Sequence, residues 1–324
     1  MTSTPIKNGV SQEPDNASAS ISAPAAMTGQ DWALLVLLSL IWGGSFLFAR
    51  VAVQEIPPMT LVLARVALAS LALNLFIWAT HRTSNGSLPW ASFVVMGILN
   101  NIIPFGLIFY GQQEIGAGLA AIINAMTPIW TVIIAHFATG DERFSSRKMV
   151  AVLLGFAGVI VLIGAEALGG LSTSVVAQLA VLGATISYGC AGVFGKRFAK
   201  TAPLQTARGQ LTMSTLMMIP IAALVDQPWT LPMPSLTAIW SVIALALLCT
   251  ALAYLMFFRI LARAGAVNIS LVTLLVPVSA ILLGIVFLGE TLATRHIIGM
   301  VLIMISLVIM DGRLQKRLSR DAQN

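Results

Sequence analysis

The sequence predicts an all-α integral membrane protein, with ten transmembrane helices arranged as two inverted five-helix repeats. Three observations carry that prediction. The chain of 324 residues is 58% hydrophobic and only 9% charged, whereas soluble domains carry about 25% charged residues. Its apolar runs are long enough, at about 1.5 Å per residue, to cross a hydrocarbon core of about 30 Å. Finally, the run 115–140, with Pro128 near its middle, returns as 264–289 with Pro277 in the matching place, at an offset of 149 (277 − 128). A duplicated apolar segment interrupted by proline in both copies is a sequence pointer to the binding region of a secondary transporter. The plainer reading is a proline that only bends its helix.

Residues 1–30 are rich in Ser, Ala, Pro and Asn and contain no apolar run. They read as a disordered tail without the basic and apolar regions of a signal peptide. The candidate spans then follow at about 32–50, 59–80, 90–110, 116–138, 148–165, 175–195, 204–225, 236–258, 266–288 and 294–311, by length and hydropathy. Turn residues separate many of them, among them Pro57-Pro58, Asn85-Gly86, Gly169-Gly170, Pro203 and the stretch from Pro228 to Pro234. The first repeat covers 31–166, the second 174–312, and a basic tail closes the chain at 313–324.

Lys and Arg set the orientation. With the amino terminus in the cytoplasm, the inner segments hold Arg82, Arg143, Arg147, Lys148, Lys196, Arg197, Lys200, Arg259, Arg263, Arg313, Lys316, Arg317 and Arg320. The outer loops hold Arg50 and Arg295. Both termini are therefore expected in the cytoplasm. Glu55, Glu114, Glu166, Asp226 and Glu290 fall on the outer side, where the rule gives them almost no weight. The net charge of +6 belongs to this topological pattern and not to a nucleic-acid face.

The repeat extends beyond the prolines. Trp42-Gly43 aligns with Tyr188-Gly189, Arg50 with Lys196, Pro57 with Pro203 and Thr60 with Thr206 at an offset of 146 (188 − 42). Asn101 aligns with Thr250 and Phe105 with Tyr254 at 149 (250 − 101). Five spans per half is an odd number, so the second half enters from the opposite side. That inversion lets one structure open to either face by exchanging the conformations of its halves.

These residues resemble the drug/metabolite transporter superfamily, and within it the EamA-type transporters. The resemblance covers about 30–312 and rests on LIWGGSFLFARVAV, Arg65 within LARVALASL, the block beginning NNIIPFGLIFYGQQ, and the closing block with Pro277, Gly289-Glu290 and Gly299. The first half has Pro128 and Glu142 in the matching block, but Ala151 where the pattern prefers glycine. The resemblance implies ten helices, an inverted repeat, a bacterial inner-membrane setting and export of small metabolites.

Arg65 is the one charge placed well inside a span. A central arginine costs roughly 2.5–3.5 kcal/mol on insertion scales, so it needs a partner or a polar cavity. A guanidinium suits the carboxylate of an amino acid or organic acid; alternatively it ties its helix to polar groups of a neighbour. Asn100 and Asn101 precede Pro104, and Asn124 precedes Pro128 by one turn. Their amides can bind a polar solute or cross-link helices. Trp42 and Tyr188, equivalent in the repeat, are the aromatic candidates for a cavity wall, and Pro128 and Pro277 the candidate hinges. Cys190 and Cys249 both lie in apolar runs, so neither a metal site nor a cofactor is suggested.

The expected activity is export of a small polar metabolite, an amino acid or derivative, by alternating access. A multidrug or other metabolite efflux carrier is the alternative. A far weaker one is a lipid-modifying enzyme with His136 as base beside Asp141, an H-x4-D spacing. No nucleotide loop of the G-x4-G-K-[ST] form is present. None of the 12 acidic residues sits at mid-span, so no residue is assigned to proton coupling.

Overall fold

The computed structural model describes residues 28–80, 88–139, 145–164 and 172–311, apart from the side chains of 264–267. Both tails expected at the termini, His81, Arg82, Asp141, Glu142 and Glu166 lie outside these residues. The described secondary structure is helical. It runs α1 Gly29–Ala52, α2 Pro58–Ala79, α3 Trp90–Gly97, α4 Ile103–Gln112, α5 Ala117–Asn124, α6 Thr127–Ala138 and α7 Ser146–Ile163. It continues as α8 Thr173–Phe194, α9 Pro203–Val225, α10 Leu236–Ala246, α11 Ala253–Ile269, α12 Val272–Leu288 and α13 Thr294–Asp311. Short π-helical turns, Ile98–Ile102 and Leu247–Leu252, join α3 to α4 and α10 to α11 as continuous rods. Among the described residues, 9 helical rods are long and apolar enough to cross a membrane, and the apolar helix Val272–Leu288 is shorter.

Local chemistry explains the boundaries. Thr28 and Asp31 form a reciprocal capping box at the start of α1. Ser145, Ser172 and Ser235 accept backbone N–H bonds at the starts of α7, α8 and α10. Pro58 and Pro203 open α2 and α9, where a missing N–H is harmless. Gly289, at φ +64°, ends α12 in the left-handed conformation that glycine adopts without strain. The expected ninth span began at 266, but α11 continues to Ile269 and α12 starts only at Val272. The segment through Arg259 and Arg263, read as a loop, carries good helix formers such as Leu261, Ala262 and Ala264, and its one glycine, Gly265, does not end the helix before the Ser270–Leu271 turn.

Hydrophobic side chains cover the outside as well as the inside. Phe137 is 81% exposed and Ile160 70%, as expected of helices that meet lipid and not water. Packing partners are mirrored between the halves: α1 lies against α10, α11 and α12, and α8 against α4, α5 and α6. Likewise α2 packs on α10 and α9 on α3, while α2 meets α9 and α7 meets α13. The two π-turns also sit at the repeat offset of 149 (247 − 98).

One face of the bundle gathers the end of α1, the start of α5, the start of α8, the end of α12 and the start of α13 around a shared cavity. Three carboxylates on this face bind the amino-terminal N–H groups of helices in the other half. Glu290 accepts from Ala117 N at 2.6 Å and Gly118 N at 3.0 Å. Asp226 accepts from Thr60 N at 2.6 Å and its hydroxyl at 2.9 Å. Glu55 accepts from Ser235 N at 2.6 Å and its hydroxyl at 2.7 Å. On the opposite face Arg263 pairs with Asp31 at 3.0 Å.

Two predictions follow from these contacts. A Cβ on Gly43 would lie 2.1 Å from Ser279 Oγ and 2.8 Å from the Ala280 backbone, whereas one on Gly44 meets nothing closer than 3.5 Å. Gly43→Ala is expected to destabilise the α1–α12 contact by about 1–3 kcal/mol and Gly44→Ala to leave it unchanged, as read by thermal unfolding in detergent. The bonds from Ser235 hold the Glu55 carboxyl below its ordinary value of 4.5. Its contribution is therefore present above pH 4.5 and lost as pH falls through the lower folded value. Glu55→Gln should melt below wild type at neutral pH, and the two melting temperatures should converge on acidification below pH 4.5.

Candidate functional site

Arg65 projects from the middle of α2 and is 7% exposed. Its Nε donates to Thr250 Oγ1 at 2.9 Å, and its guanidinium carbon stands 3.8 Å from the Phe105 ring centroid. Cation–π contact of this kind contributes about 0.5–2 kcal/mol, more when desolvated. Thr250 is fixed by the π-turn, since its hydroxyl donates to the carbonyl of Leu245 at 2.8 Å. The threonine hydroxyl thus spends its proton on a carbonyl of its own rod and offers its lone pairs to the arginine.

A second polar set faces the same region. Asn100 Nδ2 donates to Gln210 Oε1 at 3.1 Å and to the Tyr254 hydroxyl at 3.3 Å. Gln210 Nε2 donates to the same hydroxyl at 3.5 Å. Tyr188 and Tyr254 are electrostatic neighbours of Arg65. An aromatic chain runs from Trp42 through Phe257 at 5.6 Å and Phe258 at a further 5.5 Å to Tyr254 at a further 6.1 Å. The structure therefore gathers Arg65, Asn100 and Tyr188 between α2, the two π-turn rods, α8 and α9, with Trp42 at the far end of the aromatic chain.

Asn101 and Asn124 are placed differently. Asn101 is fully buried and donates to Ser214 Oγ at 2.9 Å, an α9 contact that cross-links the halves. Asn124 closes α5 at a two-residue break before α6. Pro128 leaves the Asn124 carbonyl without its helical N–H, and the Thr127 hydroxyl takes it at 2.8 Å. Asn124 Oδ1 and Trp130 Nε1 are buried without a hydrogen-bond partner among the described residues. Pro128 thus follows an interruption, whereas α12 continues through the buried Pro277.

Sequence alone singles out neither Gln210 nor Thr250 as a site residue, and it marks Tyr254 only as the repeat counterpart of Phe105. Gln210 lies in the polar first half of α9, with Gln205, Thr206, Arg208, Thr212 and Ser214, and such a run inside a span was the available signal. Arg208 donates to Asn74 Oδ1 at 2.7 Å across the α2–α9 contact. His136 meets Phe137 edge-on, with ring centroids 4.9 Å apart, and Asp141, its partner in the H-x4-D reading, is not among the described residues.

A cavity of about 660 Å³ opens on the face of Glu290, lined among others by Arg50, Glu55, Glu114, Glu290 and His296. Arg50 donates to the carbonyls of Gln112 and Gln113, tying α1 to the end of α4. Arg65, Asn100 and Tyr188 do not line this cavity.

Thr250→Val keeps the volume but removes the acceptor of a buried cation. It is expected to lower stability by about 1–3 kcal/mol, while Thr250→Ser restores most of it. Denaturation followed by tryptophan fluorescence in detergent checks both.

Residues 31–164 and 175–310 each match the EamA-like transporter family. A Bacillus subtilis protein named "Uncharacterized transporter YoaV" is 26% identical over 275 residues, covering 83% of this chain and 92% of its own. A "Probable amino-acid metabolite efflux pump" of Salmonella typhimurium is 26% identical over 294 residues, covering 87% and 95%. The Escherichia coli "Uncharacterized inner membrane transporter YedA" is 25% identical over 280 residues, covering 85% and 88%. One solved crystal structure superposes with a TM-score of 0.62 at 18% identity, covering 89% of this chain and 99% of that one, a likeness of fold.

Proposed function

The chain belongs to the EamA-like transporter family, and from that premise we propose that it exports a small polar metabolite, an amino acid or a derivative of one, across a bacterial inner membrane by alternating access. Membership of this family makes it a membrane transporter and not an enzyme. The observation that carries the substrate reading is the cluster of Arg65, Asn100, Gln210, Tyr188 and Tyr254 at the meeting of the two halves. A buried guanidinium beside amides and hydroxyls suits a carboxylate-bearing solute of moderate size. The printed name of the Salmonella relative points to the same substrate class, and that of the Escherichia coli relative to the inner membrane.

The architecture proposed is ten spans in two inverted five-helix repeats. Mirrored packing of α1 and α8, and π-turns at the repeat offset, support it. So does polarity: α1 ends at the cavity face, where its counterpart α8 begins. The bias of Lys and Arg supports cytoplasmic termini and places the face of Glu290 outside. Exchange of conformations between the halves would then move the Arg65 cluster from one side to the other, with flexing near Pro128 and Pro277. Solute and lipid are the partners this reading requires.

Everted membrane vesicles test it, supplied with labelled amino acids and their N- and C-modified derivatives. Uptake of one chemical group by wild type is expected, and at least fivefold slower uptake by Asn100→Ala and Gln210→Ala at equal expression and melting temperature. Wild-type rates in both variants would remove this site. Uptake of other metabolites but no member of the panel would remove the amino-acid reading and leave the carrier.

A further inference from the structure

Arg65, Tyr188 and Tyr254 lie within electrostatic reach of one another, and each holds a hydrogen-bond donor that the described residues leave without an acceptor. The single hydrogen bond of Arg65 is the one from Nε to Thr250, so both terminal nitrogens of the guanidinium stay open. The Tyr254 oxygen accepts from Asn100 and Gln210, which leaves its own O–H to donate elsewhere. The Tyr188 hydroxyl makes no hydrogen bond to the described residues. The described carboxylates, Asp31, Glu55, Glu114, Asp226, Glu290 and Asp311, all stand at helix ends or in the turns beside them. The middle of the bundle therefore presents one cation and several donors, and no negative charge answers them.

A buried charge of this kind is stabilised by a ligand that brings one negative charge. A zwitterionic amino acid would satisfy Arg65 with its carboxylate, but its ammonium group would find only neutral amide oxygens in place of an anion. We propose that the transported species is a net-anionic carboxylate without a free ammonium group, such as an N-acylated amino acid or a hydroxy or keto acid. Arg65 holds the carboxylate, and the Tyr188 and Tyr254 hydroxyls donate to it. This rests on the carrier reading given above.

The same charge balance supplies a driving force. The cytoplasm is electrically negative, so efflux of a monoanion runs down the membrane potential. A potential of about 100 mV sustains a concentration ratio of roughly 50-fold. No proton-carrying carboxylate at mid-membrane is then required, in agreement with the placement of every described carboxylate.

Everted vesicles distinguish the possibilities with leucine, serine and phenylalanine, each supplied as the free amino acid, the N-acetyl acid and the N-acetyl amide. A lumen-positive potential is imposed by an inward potassium gradient with valinomycin. The N-acetyl acid of at least one pair should accumulate tenfold or more over its free amino acid, and the imposed potential should raise that accumulation. Arg65→Gln should abolish uptake of the acid. Because Arg65 also braces Thr250, Tyr188→Phe and Tyr254→Phe provide the milder test: each should slow uptake of the N-acetyl acid at least threefold. Neither should change any uptake of the neutral amide. Free amino acids carried as well as their N-acetyl forms, or uptake indifferent to potential, would overturn this inference and leave the carrier reading intact. No uptake of any probe by folded wild-type protein would overturn both.

Discussion

In hydrocarbon a helix can be interrupted only where the backbone groups it releases find another partner. The structure places its interruptions, and with them its chemistry, under that constraint. In the π-turn at Leu247–Leu252 the Thr250 hydroxyl donates to the Leu245 carbonyl one turn back. Near Pro128 the Asn124 carbonyl is taken by Thr127. At the first π-turn the Leu99 carbonyl receives the Ser187 hydroxyl from α8. Each rescue needs a short polar side chain at the break, and a polar side chain at mid-membrane is then available for a second task. Thr250 performs both, since it also anchors Arg65. The polar cluster between the halves is thus a consequence of how the rods are broken.

Much of this was legible in the sequence. Unbroken apolar runs fix the spans, because no other structure satisfies backbone groups in lipid, and serine or proline caps fix many of the ends. Arg65 was legible as a group in need of a partner, but the partner was not. Thr250 lies on a π-turn with no proline to announce it; its repeat counterpart is Asn101, three residues before Pro104. The length of α11 was missed because Arg259 and Arg263 read as loop residues, although long cationic side chains reach the interface from within a helix. Gln210 and Ser214 were missed because the first half of α9 mixes them with Gln205, Thr206, Arg208, Thr212 and Thr215, and composition does not say which of these face the other rods.

The carboxylates on the face of Glu290 show a different limit. Acidic residues contribute almost nothing to topology, so the sequence assigned Glu55, Asp226 and Glu290 no role beyond their side of the membrane. In the structure each reaches from one half to the start of a helix in the other. A carboxylate at a helix start is a modest contact that solvent screens. Water can replace such a bond. Contacts of that size suit a face that must part and close again in the proposed exchange, where a tightly interlocked apolar seam would hold the halves together.

The repeat is a symmetry of scaffold and not of chemistry. Asn101 on one π-turn bonds to Ser214 of α9, while its counterpart Thr250 on the other bonds to Arg65 of α2. Phe105 offers a ring face to the guanidinium, whereas its counterpart Tyr254 offers a hydroxyl to amides. In the proposed exchange the mirrored scaffold makes the two facing states similar in packing, so neither is a deep trap. The single cation breaks the mirror. With one arginine in place of two, the proposed site binds one charge, and an anion offsets the cost of burying it beyond what Thr250 and the Phe105 ring supply. In the proposed carrier a symmetric frame supplies the movement, and an asymmetric pair of side chains decides what is moved.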